Sequence, residues 1–249
     1  FQAGRADAGY KLLKSSVLDG MYLGDSPGNF GQISFYDAAR GECYRDFGDP
    51  IGVASRVLIQ GLFGILPDAL NKQIILRPGF PADWDKASVS TPDISYRFTR
   101  KEDTDTYHIT QRFQTPLHPV LQINARKEKI RSVKVNDVPA TWQSIESAHG
   151  YPLLSIQAEG TSSTTITIEW EGAPLHTLAV QEPVITSNGK LALQIPSGAS
   201  ISQVYDPQSV LANHTVEATA FNAQIKGEPG HHTFFVYTHQ GEMDWWHTI

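Results

Sequence analysis

A chain of 249 residues and 27.5 kDa, with 40% hydrophobic and 18% charged residues, holds enough apolar material for one large core or two smaller ones. Its net charge of -6 supplies no basic stripe for phosphates, which argues against nucleic acid as a partner, and no apolar run approaches the roughly 18 residues that cross a bilayer. The single cysteine, Cys43, excludes an internal disulfide framework and a thiolate metal cluster, and reads as a small buried thiol.

In residues 1–23, Tyr10, Leu13, Val17 and Met21 recur at three- and four-residue steps, the spacing of an amphipathic helix. A second helix is expected to start at Asp49, with Asp49 as its cap and Pro50 in the first turn, and to run until Pro67. Between the two lies an irregular loop in which residues 35–52, "FYDAARGECYRDFGDPIG", crowd charges and aromatic rings with hardly any aliphatic side chain. The second helix carries Ile51, Val53, Ala54, Val57, Leu58, Ile59, Leu62, Phe63, Ile65 and Leu66, leaving a thin polar seam near Ser55, Arg56 and Gln60. A helix apolar nearly all round is buried on most sides. Gly61 and Gly64 each cost about 1 kcal/mol against alanine inside a helix, which is tolerated where another backbone comes close. One other helix and one sheet face do not cover such a surface, so further helices are expected from upstream of Phe1 or from another subunit; the alternative is a β region that wraps the helix completely.

From Gln73 onward short β-type runs alternate with turn residues: "QIILRP", "ASVSTP", "ISYRFTR", "TYHITQRF", "VLQINA", "IRSVKVN", "LLSIQA" and "TTITIEW". Their period-two alternation predicts antiparallel strands of a sandwich, half buried on one face. Past Pro174, "HTLAV", "KLALQI", "SISQVYD", "TVEATAF" and "HTFFVYTH" continue the pattern. The fold class expected is mainly β, an antiparallel β-sandwich region preceded by two α-helices. The divisions are residues 1–72 for the helices and loop, 73–174 for the sandwich, and 175–249 for strands of the same sandwich or a small second β unit.

The run from Gly31 to Val89 resembles the end of an (α/α)6-barrel glycoside hydrolase, where the last barrel helix enters a C-terminal β-sandwich. The layout is similar to α-L-rhamnosidase-like enzymes, and the wording is closer to an uncharacterised family of gut-bacterial glycoside hydrolases. Gly61 to Ile65, Pro67-Asp68 and "IILRPGFPADW", with Arg77, Pro78 and Trp84, carry the likeness. It implies that the two helices close a helical barrel, that the partner is a carbohydrate, that the upstream barrel belongs to the same protein or another subunit, and that the protein is periplasmic or secreted. It also implies two carboxylic acids across a pocket. In inverting members one protonates the glycosidic oxygen and the other activates water, at a separation of roughly 6.5 to 9.5 Å. The matching base position here is Glu42, with the general acid outside this chain. The resembling enzymes place tryptophan before that glutamate, whereas Gly41 precedes Glu42 and Cys43 follows it.

The residues themselves suit that role. Acetal hydrolysis needs a carboxylate aimed at water, polar groups for hydroxyls and aromatic faces for the apolar side of a sugar ring. Glu42 is the candidate catalytic residue; Tyr36, Asp37, Tyr44, Arg45 and Asp46 are the candidate substrate-binding residues. The competing reading pairs Arg40 and Arg45 with Asp37, Glu42 or Asp46 simply to fix a long loop. Scattered histidines give no shared metal site, since neighbours such as His231 and His232 would point to opposite faces of a strand, and no metal or organic cofactor is implied. Trp245 and Trp246 divide in the same way, one toward a core and the other outward. The rival function is a non-catalytic carbohydrate-binding or structural β-sandwich module, which an exposed coplanar strip of Trp142, Trp170, Trp245 or Trp246 would favour.

Overall fold

The computed structural model describes residues 1, 4–18, 49–176, 184–196 and 198–249, with backbone alone for 49–51. Half of the chain is strand. Helix α1 spans Ala6–Leu18 and presses Tyr10 and Leu13 against the β layers while Leu12 faces outward. Helix α2, Asp49–Arg56, starts where the Asp49-Pro50 pair predicts. It then widens into a π turn over Val57–Leu62, in which the Phe63 N–H donates to the Leu58 carbonyl at 3.1 Å. No helix among the described residues is long and apolar enough to cross a membrane.

The helix stops at Phe63 rather than running to Pro67, and Gly64 is the reason. Its φ of 66° lies in the left-handed region, and a Cβ there would overlap the Arg77 carbonyl. The Arg77 N–H donates to the Gly64 carbonyl at 2.9 Å and the Gly79 N–H to the Leu62 carbonyl at 3.0 Å, so the helix end is stitched to a passing backbone. A Cβ on Gly79 would likewise come within 2.9 Å of the Gly61 carbonyl. The apolar run after Gly64 is therefore strand β1, Ile65–Asp68, not helix. Pro67 fits there because β1 is the edge of its sheet, where a missing N–H breaks no ladder.

One sheet orders β1 beside β2 (Gln73–Leu76), β6 (His118–Asn124), β10 (Leu153–Gln157) and β9 (Gln143–Ser144), with β2 and β6 parallel and the other pairs antiparallel. The second is wholly antiparallel: β3 (Lys86–Ser90), β4 (Ile94–Lys101), β5 (Thr104–Gln111), β11 (Ser163–Pro174), β7 (Lys127–Val135) and β8 (Val138–Pro139). Alternation sends Tyr96 and Phe98 from β4, Tyr107 and Ile109 from β5, and Ile166, Ile168 and Trp170 from β11 inward to meet Ile74, Leu76, Leu121, Ile123, Leu154 and Ile156 of the other sheet. This shared core makes the pair sandwich-like. An aromatic ladder ties the helices on: Tyr10 meets Trp84 at 4.9 Å, Phe63 meets Phe80 at 5.6 Å, and Phe80 meets Phe98 at 5.2 Å.

A second core gathers Leu191, Ile201, Val210, Leu211, Phe221, Phe234 and Val236. Around it lie a sheet ordered β12 (Lys190–Gln194), β15 (Ala220–Ile225), β14 (Leu211–Val216) and a sheet ordered β13 (Ser200–Tyr205), β16 (Phe235–Gln240), β17 (Met243–Thr248). The expected single run "TVEATAF" is broken here between β14 and β15, and "HTLAV" falls largely outside the described residues, which resume after 183. His231 and His232 lie on an exposed loop rather than on a strand. The two cores are coupled. Met243 and Trp245 of β17 are buried in the first core, and the 145–150 loop pairs with β17 through the Gly150 N–H to the Trp246 carbonyl at 2.8 Å and the Trp246 N–H to the Ala148 carbonyl at 2.9 Å.

Two outcomes follow from this packing. Gly64→Ala, strained in both φ and space, should destabilise by at least about 2 kcal/mol in chemical denaturation, whereas Gly150→Ala, whose φ of 79° is equally left-handed but whose Cβ meets open space, should lose only about 1 kcal/mol. His247 points inward on β17 at 2% exposure, and burial lowers its pKa to about 4. The unfolded chain binds that proton near pH 6.5 and the folded chain only near 4, so stability is full above pH 6.5 and declines between the two values, by up to about 3 kcal/mol. Unfolding curves from pH 7 to 4 should show the slope, and His247→Leu should flatten it.

Candidate functional site

The residues singled out for catalysis and substrate contact, Glu42, Tyr36, Asp37, Tyr44, Arg45 and Asp46, lie outside the described residues, as does Cys43. What the structure does place is a cleft of about 830 Å³ between the start of α1 and one end of the two sheets. Its lining includes Arg5, Asp7, Arg77, Phe80, Phe98, Arg100, Asp105, Tyr107, Gln122, Arg126, His149 and Tyr151.

Asp105 organises it. The alternation of β5 turns this side chain inward with Tyr107 and Ile109, and only 1% of it is exposed. Its Oδ1 accepts from Arg100 Nε and Arg126 Nη1, each at 2.9 Å, and its Oδ2 accepts from the Trp170 indole at 3.1 Å. Arg100 arrives from β4, Arg126 from the turn after β6, and Trp170 from β11. The guanidiniums are themselves fixed: Arg100 donates to the Ala82 carbonyl at 3.0 Å and Arg126 to the Glu102 carbonyl at 3.2 Å. Burial, followed by the adjacent Asp105 charge, pushes the Tyr107 phenol far above its ordinary range, and burial does the same to Tyr96. Both rings stay neutral packing elements.

These bonds decide the chemistry. A carboxylate with three donors converging on it has its lone pairs engaged by the protein, so Asp105 anchors the cleft rather than serving as a general base. Asp7 is also occupied, its Oδ1 accepting from the Ala82 N–H at 3.2 Å, which pins α1 to the turn after Phe80. Arg77 donates through Nε to Gln122 Oε1 at 2.8 Å and through a second guanidinium nitrogen to the same oxygen. Among the described lining residues, then, the surface is a basic and aromatic wall without a free pair of carboxylates. Among the described residues no group of three or more His, Cys, Asp or Glu side chains is arranged to hold a metal ion.

The tryptophans do not form a coplanar exposed strip. Trp170 and Trp245 are buried, and Trp142 packs half-buried against the first core. Trp246 alone of that set lies on an outward face, as the opposite-facing argument for the Trp245-Trp246 pair expects. The Asp105 cluster was missed in the sequence because two of its three partners, Arg126 and Trp170, stand 21 and 65 residues away along the chain. A charged residue at an inward position of the alternating run from Thr104 to Gln111 is the signal that could have found it. No protein-family model matches this chain, and no curated protein matches it.

Replacing Asp105 by alanine would leave two guanidiniums and an indole N–H facing an apolar gap. The expected loss is about 3 to 5 kcal/mol in chemical denaturation, with Asp105→Asn losing less because it keeps an acceptor for one donor.

Proposed function

We propose that this chain forms the C-terminal part of a glycoside hydrolase, in which α1 and α2 close a helical barrel and Glu42 activates water in an inverting mechanism whose general acid lies outside the chain. The observation that carries this reading is the junction between α2 and the first sheet. Several pieces of the sequence likeness meet near there in space: Gly64 against Arg77 and Pro78, and Phe63 against Phe80, with Trp84 packing on Tyr10 of α1. A helix seated this firmly by its end still leaves Val53 at 59% and Leu58 at 41% exposure, apolar surface that suits neighbouring barrel helices. The cleft beside α1, lined by Arg77, Gln122, His149 and Tyr151, suits contact with sugar hydroxyls.

In the protein that includes the barrel, Glu42→Ala should lower turnover of the glycosidic substrate on the order of 10² to 10⁴-fold, with KM changed much less. Undiminished turnover would remove Glu42 from the mechanism. Polarimetry or NMR of the first-formed product should show inversion at the anomeric carbon.

A further inference from the structure

The sheet β13-β16-β17 has an outward face that none of the reasoning above uses. The ladder pairs Tyr205 with Phe235, Gln203 with Tyr237, Tyr237 with Trp246 and His239 with Asp244. Because Val236, Thr238, Met243, Trp245 and His247 turn inward, their neighbours Phe235, Tyr237, His239, Asp244 and Trp246 turn outward together. Tyr205 and Phe235 stack with centroids 6.1 Å apart and planes at 23°, and Tyr237 and Trp246 lie 4.7 Å apart at 41°. His149, from the loop that pairs with β17, meets Phe235 edge-on at 5.6 Å. Tyr205 is 55% exposed, and the other three rings are half-buried.

Polar groups border these rings. His239 Nδ1 and Asp244 Oδ1 are 2.8 Å apart, and Gln203 sits beside Tyr237 in the ladder. Burial, then the charges of Asp244 and Glu146, raise the Tyr237 phenol above its usual value. The outward positions of the three strands hold no lysine or arginine. That charge pattern selects the occupant. A nucleic acid or an acidic glycan would bring anionic groups against Asp244, with no lysine or arginine on these strands to compensate. A neutral polyol brings hydroxyl donors, which carboxylate, amide and imidazole groups accept. A pyranose also has C–H-rich faces whose removal from water is favourable on an aromatic ring. Phe235 and Tyr237 are separated by two residues on one strand, about 7 Å, and their cross-strand partners widen the surface on both sides.

We propose that the outward face of β13-β16-β17 is a binding platform for a neutral polysaccharide, with sugar rings laid on Tyr205, Phe235, Tyr237 and Trp246 and hydroxyls held by Asp244, His239 and Gln203. The platform lies on a different part of the chain from Glu42, and either assignment can fail without the other.

Affinity electrophoresis of the whole 249-residue chain, in native gels containing hydroxyethylcellulose, mixed-linkage β-glucan, xyloglucan, galactomannan or arabinoxylan, tests it, with polygalacturonate as the acidic control. The expected result is retardation by at least one neutral polymer and none by polygalacturonate. Tyr205→Ala and Trp246→Ala should each weaken binding by about tenfold or more. Tyr205 is exposed enough for its replacement to leave folding intact, which an unaltered thermal transition verifies. Retardation by none of the neutral polymers, retardation by polygalacturonate alone, or unchanged binding in a folded Tyr205→Ala variant would overturn the proposal.

Discussion

A carboxylate that has lost nearly all its water must keep its donors, and Asp105 imposes that condition on the first core. Its partners come from β4, the turn after β6, and β11, so one buried charge fixes the relative position of segments that touch both sheets. Buried ion pairs contribute little net stability over a well-packed apolar core, but losing one partner is expensive. Their value is in specificity: Arg100 and Arg126 cannot drift without stranding Asp105. The aromatic wall of the cleft inherits this rigidity, because Phe98 and Tyr107 occupy the same two strands and Arg100 stands 5.3 Å over the Phe98 ring.

The helical layer depends on a second constraint, the crossing of two backbones at Gly64 and Arg77. Only a residue without Cβ permits it. Once that crossing is fixed, Phe63 and Phe80 are brought into contact, and the ladder through Trp84 to Tyr10 draws α1 onto the same layer. The helix ends in a π turn, where Gly61, Leu62 and Phe63 are all buried while Val53 and Leu58 remain outside.

Much of this was legible in the residues. Alternation in "ISYRFTR", "TYHITQRF" and "TTITIEW" reports an inward and an outward face, and the structure buries Tyr96, Phe98, Tyr107, Ile109, Ile166 and Ile168 accordingly. Asp49-Pro50 marks a helix start because the chemistry is local. The failures were where local chemistry underdetermines the answer. Ile65-Leu66 is a short apolar run that suits helix and strand equally, and the choice was made by Gly64 meeting the backbone of Arg77. "TVEATAF" alternates straight through a turn, which hid the boundary between β14 and β15. In the paired tryptophans the division into one inward and one outward ring follows from period two. The companions of Trp246 do not, since Tyr205 and Phe235 reach the same face only through cross-strand register. The loop of Glu42 gave the sequence its sharpest functional suggestion, and its role rests on the likeness and its own composition.

The placement of Met243 and Trp245 has a consequence for how the molecule assembles. The first core is built mainly from strands that end at Pro174, yet two of its buried side chains arrive only after the whole second core has been traversed. Closing it therefore requires contacts of long sequence separation, and those lose loop entropy before they gain any packing. A growing chain that has made every strand of the first two sheets still carries a gap in its interior where Trp245 will sit. The last contacts of the first core thus come from the carboxyl-terminal strands, which ties its completion to the second core.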